Sequence, residues 1–219
     1  MRPPHKRVIL TILGLLGALA LAAAVLLSLP ESVGKALLSE GGVIETASAL
    51  GYVGVAGMLV WAMARDDTRQ TWPLVVILLA MFGRELDLDK RPFTLGLFKS
   101  RQYLGDQVPG VEKLISLVIL LVILTCLFLA ARRYGGEFLR GLRDGVAQSW
   151  YLATGLVLVV ISKSVDGIGR KLAPFGIDIS DVLDRRFAAL EELWELGIPI
   201  TFALAVLAAA SRKPNTVAP

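Results

Sequence analysis

The sequence predicts an all-α fold, a polytopic transmembrane helix bundle, and three observations carry that prediction. Of 219 residues, 55% are hydrophobic and only 19% are charged, where a soluble domain is about a quarter charged. The mean hydropathy is +0.65. The charges are clustered, and the apolar runs between the clusters approach or exceed the roughly 18 residues that read as a membrane span. Too little chain lies outside these runs for a separate soluble domain, so residues 1–219 are read as one transmembrane domain.

Six spans are expected. The first, 8–29, follows the basic "MRPPHKR" and precedes "PES". Its apolar stretch exceeds the ~7–15 residues of a cleaved signal, so it is expected to remain as an anchor; cleavage would leave five spans. The second, 43–64, carries Glu45 one turn inside its start. The third, 72–86, covers only about 22 Å at 1.5 Å per residue, so it needs the charged stretch after it to reach the far interface. The fourth and fifth are 114–131 and 146–162. The sixth, 196–210, is also short, and "ALEELWEL" leads into it.

Lys and Arg set the orientation. With the N-terminus inside, the inner segments include "RDDTRQT" and "RRYGGEFLRGLRDG", and their density of basic residues exceeds that of the outer segments. Both termini then face the cytoplasm, as expected of a multi-pass protein of the bacterial inner membrane. The acid-rich segments 84–113 and 163–195 face outward. Two interfacial helices are expected there. "FTLGLFKSRQYL" places Leu97, Phe98, Arg101 and Leu104 at helical spacing. "DISDVLDRRFAALEELWELGIP" reads as a helix capped by Ser180 that runs toward the sixth span, with Gly197 and Pro199 bending it.

Composition also excludes chemistries. His5 is the one histidine and Cys126 the one cysteine. No intrachain site can use two imidazoles, and no intrachain disulfide can form. The net charge of +4 comes from basic residues at span ends, which topology explains without nucleic acid.

Four charged clusters fall on the predicted outer side. Glu45 and Ser48 lie three apart on one helix face. In "GRELDLDKRP" a continued helix would pair Glu85 with Asp89 and Arg84 with Asp87 by spacing. Lys163, Asp166 and Arg170 recur at three and four along one stripe. Glu191, Glu192 and Glu195 crowd one helix and need cations nearby. Each cluster has a plain structural reading: a carboxylate at headgroup level, an ion pair, a snorkelling lysine, a solvated acidic face. Ionisable groups inside spans nonetheless tend to serve function. Joined, they would form one outward pocket, with Glu45, Glu85, Asp87, Lys163 and Asp166 as catalytic groups. Ser48, Arg84, Arg170, Glu192 and Glu195 would contact substrate. Such hard oxygen ligands suit Mg²⁺, Ca²⁺ or Mn²⁺, and a bound cation could activate water.

These pieces resemble a group of uncharacterised bacterial inner-membrane proteins. The shared pieces are Glu45 with Ser48, Arg84–Glu85–Leu86–Asp87 ending a span, Ser162–Lys163 with Asp166, and Glu191–Glu192 with Glu195 and Leu196 before the last span. The resemblance implies no activity. A more distant similarity is to the ceramidase-like superfamily of membrane hydrolases, in which Glu45, Ser48 and Asp87 would take the first site positions. The three zinc-binding histidines of that superfamily are absent here, so its zinc hydrolysis is not carried over.

Three functions compete. The first is a metal-assisted hydrolase or transferase of a lipid-type substrate. The second is a non-enzymatic assembly or sensory protein that binds a membrane partner and whose charges are structural. The third is a transporter, which would need more polar residues at mid-bilayer than the isolated Thr125, Ser149 and Thr154, and repeated halves that are not present.

Overall fold

The computed structural model describes residues 4–37, 41–65 and 71–211. Among them all regular structure is helical: α1 (Lys6–Ser28), α2 (Glu31–Leu37), α3 (Val43–Arg65), α4 (Trp72–Glu85), α5 (Arg101–Leu104), α6 (Gly110–Arg143), α7 (Ala147–Val165), α8 (Ile168–Leu172) and α9 (Asp181–Ala210), with a 3₁₀ turn at Ala173–Phe175. Among the described residues, four helices are long and apolar enough to cross a membrane: α1, α3, α6 and α9. A fifth crossing results if α7 and the α8 segment, bent by 64° at their junction, count as one span.

The chain divides into two compact units. Met1–Gly51 with Phe138–Pro219 forms unit 1, and Tyr52–Glu137 forms unit 2.

In unit 1, α9 packs along α7, and α1 packs against both. Small residues permit this. A Cβ on Gly155 would lie 2.5 Å from both Thr201 Oγ1 and the Phe202 ring. One on Gly197 would lie 2.8 Å from Leu19. Close backbone approach at small residues is how helices gain packing where lipid removes the hydrophobic drive. Val8, Tyr151 and Ala205 form a buried cluster where α1, α7 and α9 meet. Helix α9 begins at Ser180, whose hydroxyl accepts from the Leu183 N–H, and it stays one helix through Pro199. The expected sixth span is therefore the end of a 30-residue helix.

Helix α6 starts in unit 2 after Pro109 with Glu112 in its first turn, and its last turn, which carries Arg140 and Arg143, belongs to unit 1; the charges match the helix dipole at both ends. Its 34 residues extend about 51 Å. The fourth span, expected over 114–131, is the middle of this helix.

Two expectations for the segments read as outer are corrected. The first concerns Phe93–Leu104, which is helical only over Arg101–Leu104. Leu97 is buried while Leu104 is 81% exposed, so the residues grouped by helical spacing share no face. The second is the continuation of α4. It ends at Glu85, and Asp87 takes a left-handed φ of 54°. The Asp87 N–H bonds the Arg84 carbonyl at 3.0 Å, and the Leu88 N–H bonds the Gly83 carbonyl at 2.8 Å. That pair of bonds is a Schellman cap with Asp87 where glycine is usual. The continued helix that would set Glu85 with Asp89 and Arg84 with Asp87 by spacing is therefore not present.

Candidate functional site

Among the described residues, three carboxylates converge on one lysine in unit 1, at the end of α7. Lys163 sits in the last turn of that helix. Its Nζ lies 2.9 Å from Glu195, 3.2 Å from Asp166 and 3.5 Å from Glu191. Asp166 is one turn along the same strip of chain. Glu191 and Glu195 stand one turn apart on α9, so both present to the same neighbour. Ser162, fully buried, donates its hydroxyl to Glu195 at 3.0 Å. Glu195 is buried, whereas Lys163 keeps about a third of its side chain exposed.

The backbone of this corner is tied as firmly as the side chains. Gly167 takes φ 57° and breaks the helix. Lys171 then folds back and donates to the Lys163 carbonyl at 2.7 Å. A lysine on the last carbonyls caps α7 and opposes the negative end of its dipole. Arg170 reaches Asp166 only at 4.0 Å and is 87% exposed. It is a peripheral charge of small energetic weight.

Glu192 lies about 100° around α9 from Glu191 and also takes part in an interaction. Glu191, which the sequence reading kept in the cluster but left out of the site, lies 3.5 Å from Lys163. Glu45 is engaged locally: its carboxylate accepts the Gly41 N–H at the start of α3. Ser48 is fully buried and returns its hydroxyl to the Ile44 carbonyl at 3.1 Å.

Unit 2 holds the remaining expected residues. Glu85 is buried, and both it and Arg84 take part in side-chain interactions. Asp87 forms ion pairs with Lys90 at 2.7 Å and Arg91 at 3.5 Å. The Lys90 hydrogen bond, partly opposed by burial and reinforced by the Lys90 and Arg91 charges, holds the Asp87 carboxyl below its ordinary range. A depressed carboxyl stabilises the fold above its unfolded value of about 3.9 and loses that contribution as pH falls through the lower folded value. Unfolding midpoints are therefore expected to drop below about pH 4, and less so in Asp87→Asn. At neutral pH, Asp87→Ala is expected to cost about 1–2 kcal/mol, because it keeps the left-handed φ and loses the ion pairs. Asp87→Gly removes the strain and is expected to cost less. Thermal unfolding of the variants checks the order.

A second polar centre in unit 2 was not visible in the sequence. Gln102 is fully buried. Its Nε2 donates to Glu112 at 2.7 Å and to Ser116 at 3.1 Å, while its Oε1 accepts the Leu95 N–H at 2.9 Å. Glu112 also accepts the Thr94 N–H and, at 2.8 Å, the Thr94 hydroxyl. This network ties the 94–102 segment to the first turns of α6. Beside it runs a groove of about 910 Å³ lined by α4, the following turn and α6.

No family model, curated protein or solved structure matches the chain. Among the described residues, no group of three or more His, Cys, Asp or Glu side chains is arranged to hold a metal ion. Asp166, Glu191 and Glu195 surround an ammonium instead.

Proposed function

We propose that this chain is a multi-pass protein of the bacterial inner membrane that acts as a non-enzymatic assembly or sensory component. Its charges at the outer face hold spanning helices in register and present the outer segments to a membrane partner. The observation that carries this reading is Lys163, whose ammonium is shared by Glu195 and Glu191 of α9 and Asp166 beyond α7. A hydrolase would need a carboxylate or cation directed at substrate. Here the groups already answer one another, and Ser162 takes a further position on Glu195.

The topology follows the same reading. Helices α1, α3, α6, α7 with α8, and α9 make five crossings, and α4 makes the sixth. Its 14 residues rise about 21 Å, and the charged turn 86–92 that follows lies outside the span, at the outer headgroup level. Trp72 lines one crevice with Arg132 and Arg133, as aromatic and basic residues do at the cytoplasmic interface. Both termini then lie inside.

The test incubates purified protein with labelled bilayer lipids, with and without Mg²⁺ or Ca²⁺, and follows the stoichiometry of any co-purifying membrane protein. No lipid turnover is expected, and the complex should survive Glu85→Gln and Asp87→Asn. Cation-dependent turnover that disappears in Glu85→Gln at an unchanged melting temperature contradicts the reading and restores the metal-assisted hydrolase.

A further inference from the structure

We infer that the groove between α4 and α6 seats one acyl chain of a phospholipid with a primary-ammonium headgroup, the ammonium donating to Asp89 and the phosphate lying against Arg84. The inference rests on the proposed spanning role of α4 and α6, which places the groove among lipid tails. At about 910 Å³ this open groove has a volume within the range of ligand sites. Its two walls are apolar, with Val76 and Leu79 from α4 and Ile115, Ile119 and Val122 from α6. Charged groups occur at one end only: Arg84, Asp89 and Glu112. An apolar length with a charged end is the profile of a single lipid chain and its headgroup.

The three charged groups are not equivalent. Glu112 already accepts from Thr94 and Gln102. Arg84, which also takes part in an interaction within the protein, adds the positive charge that a phosphate requires, its five N–H groups being able to serve more than one acceptor. Asp89 is the decisive one: its Oδ1 is buried and has no hydrogen-bond partner. A buried carboxylate oxygen without a donor is costly, and native proteins rarely leave one so. A headgroup ammonium arriving along the groove supplies a donor and a counter-charge together when the Asp89 carboxylate rotates to meet it. A trimethylated headgroup has no N–H to donate, so the site should distinguish the two.

The experiment adds phosphatidylethanolamine or phosphatidylcholine of identical chains to delipidated protein in detergent and measures binding by native mass spectrometry. The wild type is expected to favour the ethanolamine lipid by about fivefold or more, a ratio that one charge-assisted hydrogen bond supports. Asp89→Asn should bring that ratio close to one. Ile119→Trp, which fills the groove wall, should weaken both lipids. Circular dichroism of both variants confirms retained helix. Equal binding of the two headgroups by the wild type, or a preference that survives in Asp89→Asn, overturns the inference. Release of the chain from membranes by alkaline extraction would instead overturn the spanning reading on which the site depends.

Discussion

Replacing Lys163 with methionine is expected to lower stability by on the order of 2 kcal/mol, a fall in Tm of roughly 4–8 °C for a chain of this size. Methionine keeps the length and apolar stem of the side chain, so the loss comes from the charge. Without the ammonium, Asp166, Glu191 and Glu195 are three mutually repelling carboxylates, and Glu195 is buried. Removing one partner of a fully buried pair costs about 3–5 kcal/mol. The smaller figure reflects Lys163's partial exposure, which lets water screen the remaining charges. Glu195→Gln is expected to be milder: the glutamine oxygen still accepts from Ser162, and Glu191 and Asp166 still neutralise the lysine. Thermal unfolding in a mild detergent reads both. A loss for Lys163→Met no greater than that for exposed Arg170→Met would mean that the cluster holds nothing together.

Gln102→Leu is expected to cost about 2–4 kcal/mol, the sum of more than one buried polar group left without its partner. Leucine matches the volume closely but returns none of the three hydrogen bonds that tie Leu95, Glu112 and Ser116 together. The Leu95 N–H loses its acceptor, and Glu112 loses one of the donors that hold the turn to α6. Gln102→Glu tests the same position by chemistry: it retains an acceptor for Leu95 but sets a carboxylate against Glu112, so it should be no better than leucine at neutral pH. Limited proteolysis within residues 94–104 gives a second readout, with faster cleavage expected in both variants. Unchanged stability and cleavage in Gln102→Leu would show that the turn is held by packing alone.

Hydropathy made the membrane-crossing helices legible wherever charge and helix end together. The expected spans 8–29 and 43–64 nearly coincide with α1 (Lys6–Ser28) and α3 (Val43–Arg65). Hydropathy misses the true ends of α6 and α9 because those helices continue as charged segments. "DVLDRRFAALEEL" is rich in good helix formers that leave the apolar zone, and "YGGEFLRGLR" stays helical despite three glycines. The stripe from Lys163 to Asp166 was legible as a stripe. Which acids meet it depends on the rotation of α9, and a change of one residue, from Glu192 to Glu191, turns the side chain by about 100°. Asp87 read as a site residue because a carboxylate at a span end looks functional. Its left-handed φ in a helix cap is invisible when the residue is not glycine. Gln102 carries no periodic or charge signal at all, and its importance comes from three partners at sequence separations of 7, 10 and 14.

The central claim is that Lys163 and the acids of α9 stabilise one another rather than a substrate, and a double-mutant cycle tests it most directly. Unfolding free energies are measured for the wild type, Lys163→Met, Glu195→Gln and the double variant. Mutual stabilisation predicts a coupling of about 1 kcal/mol or more, within the range for residues in one ionic network, and a double variant more stable than Lys163→Met alone. Additive losses, with a coupling below about 0.5 kcal/mol, would contradict it.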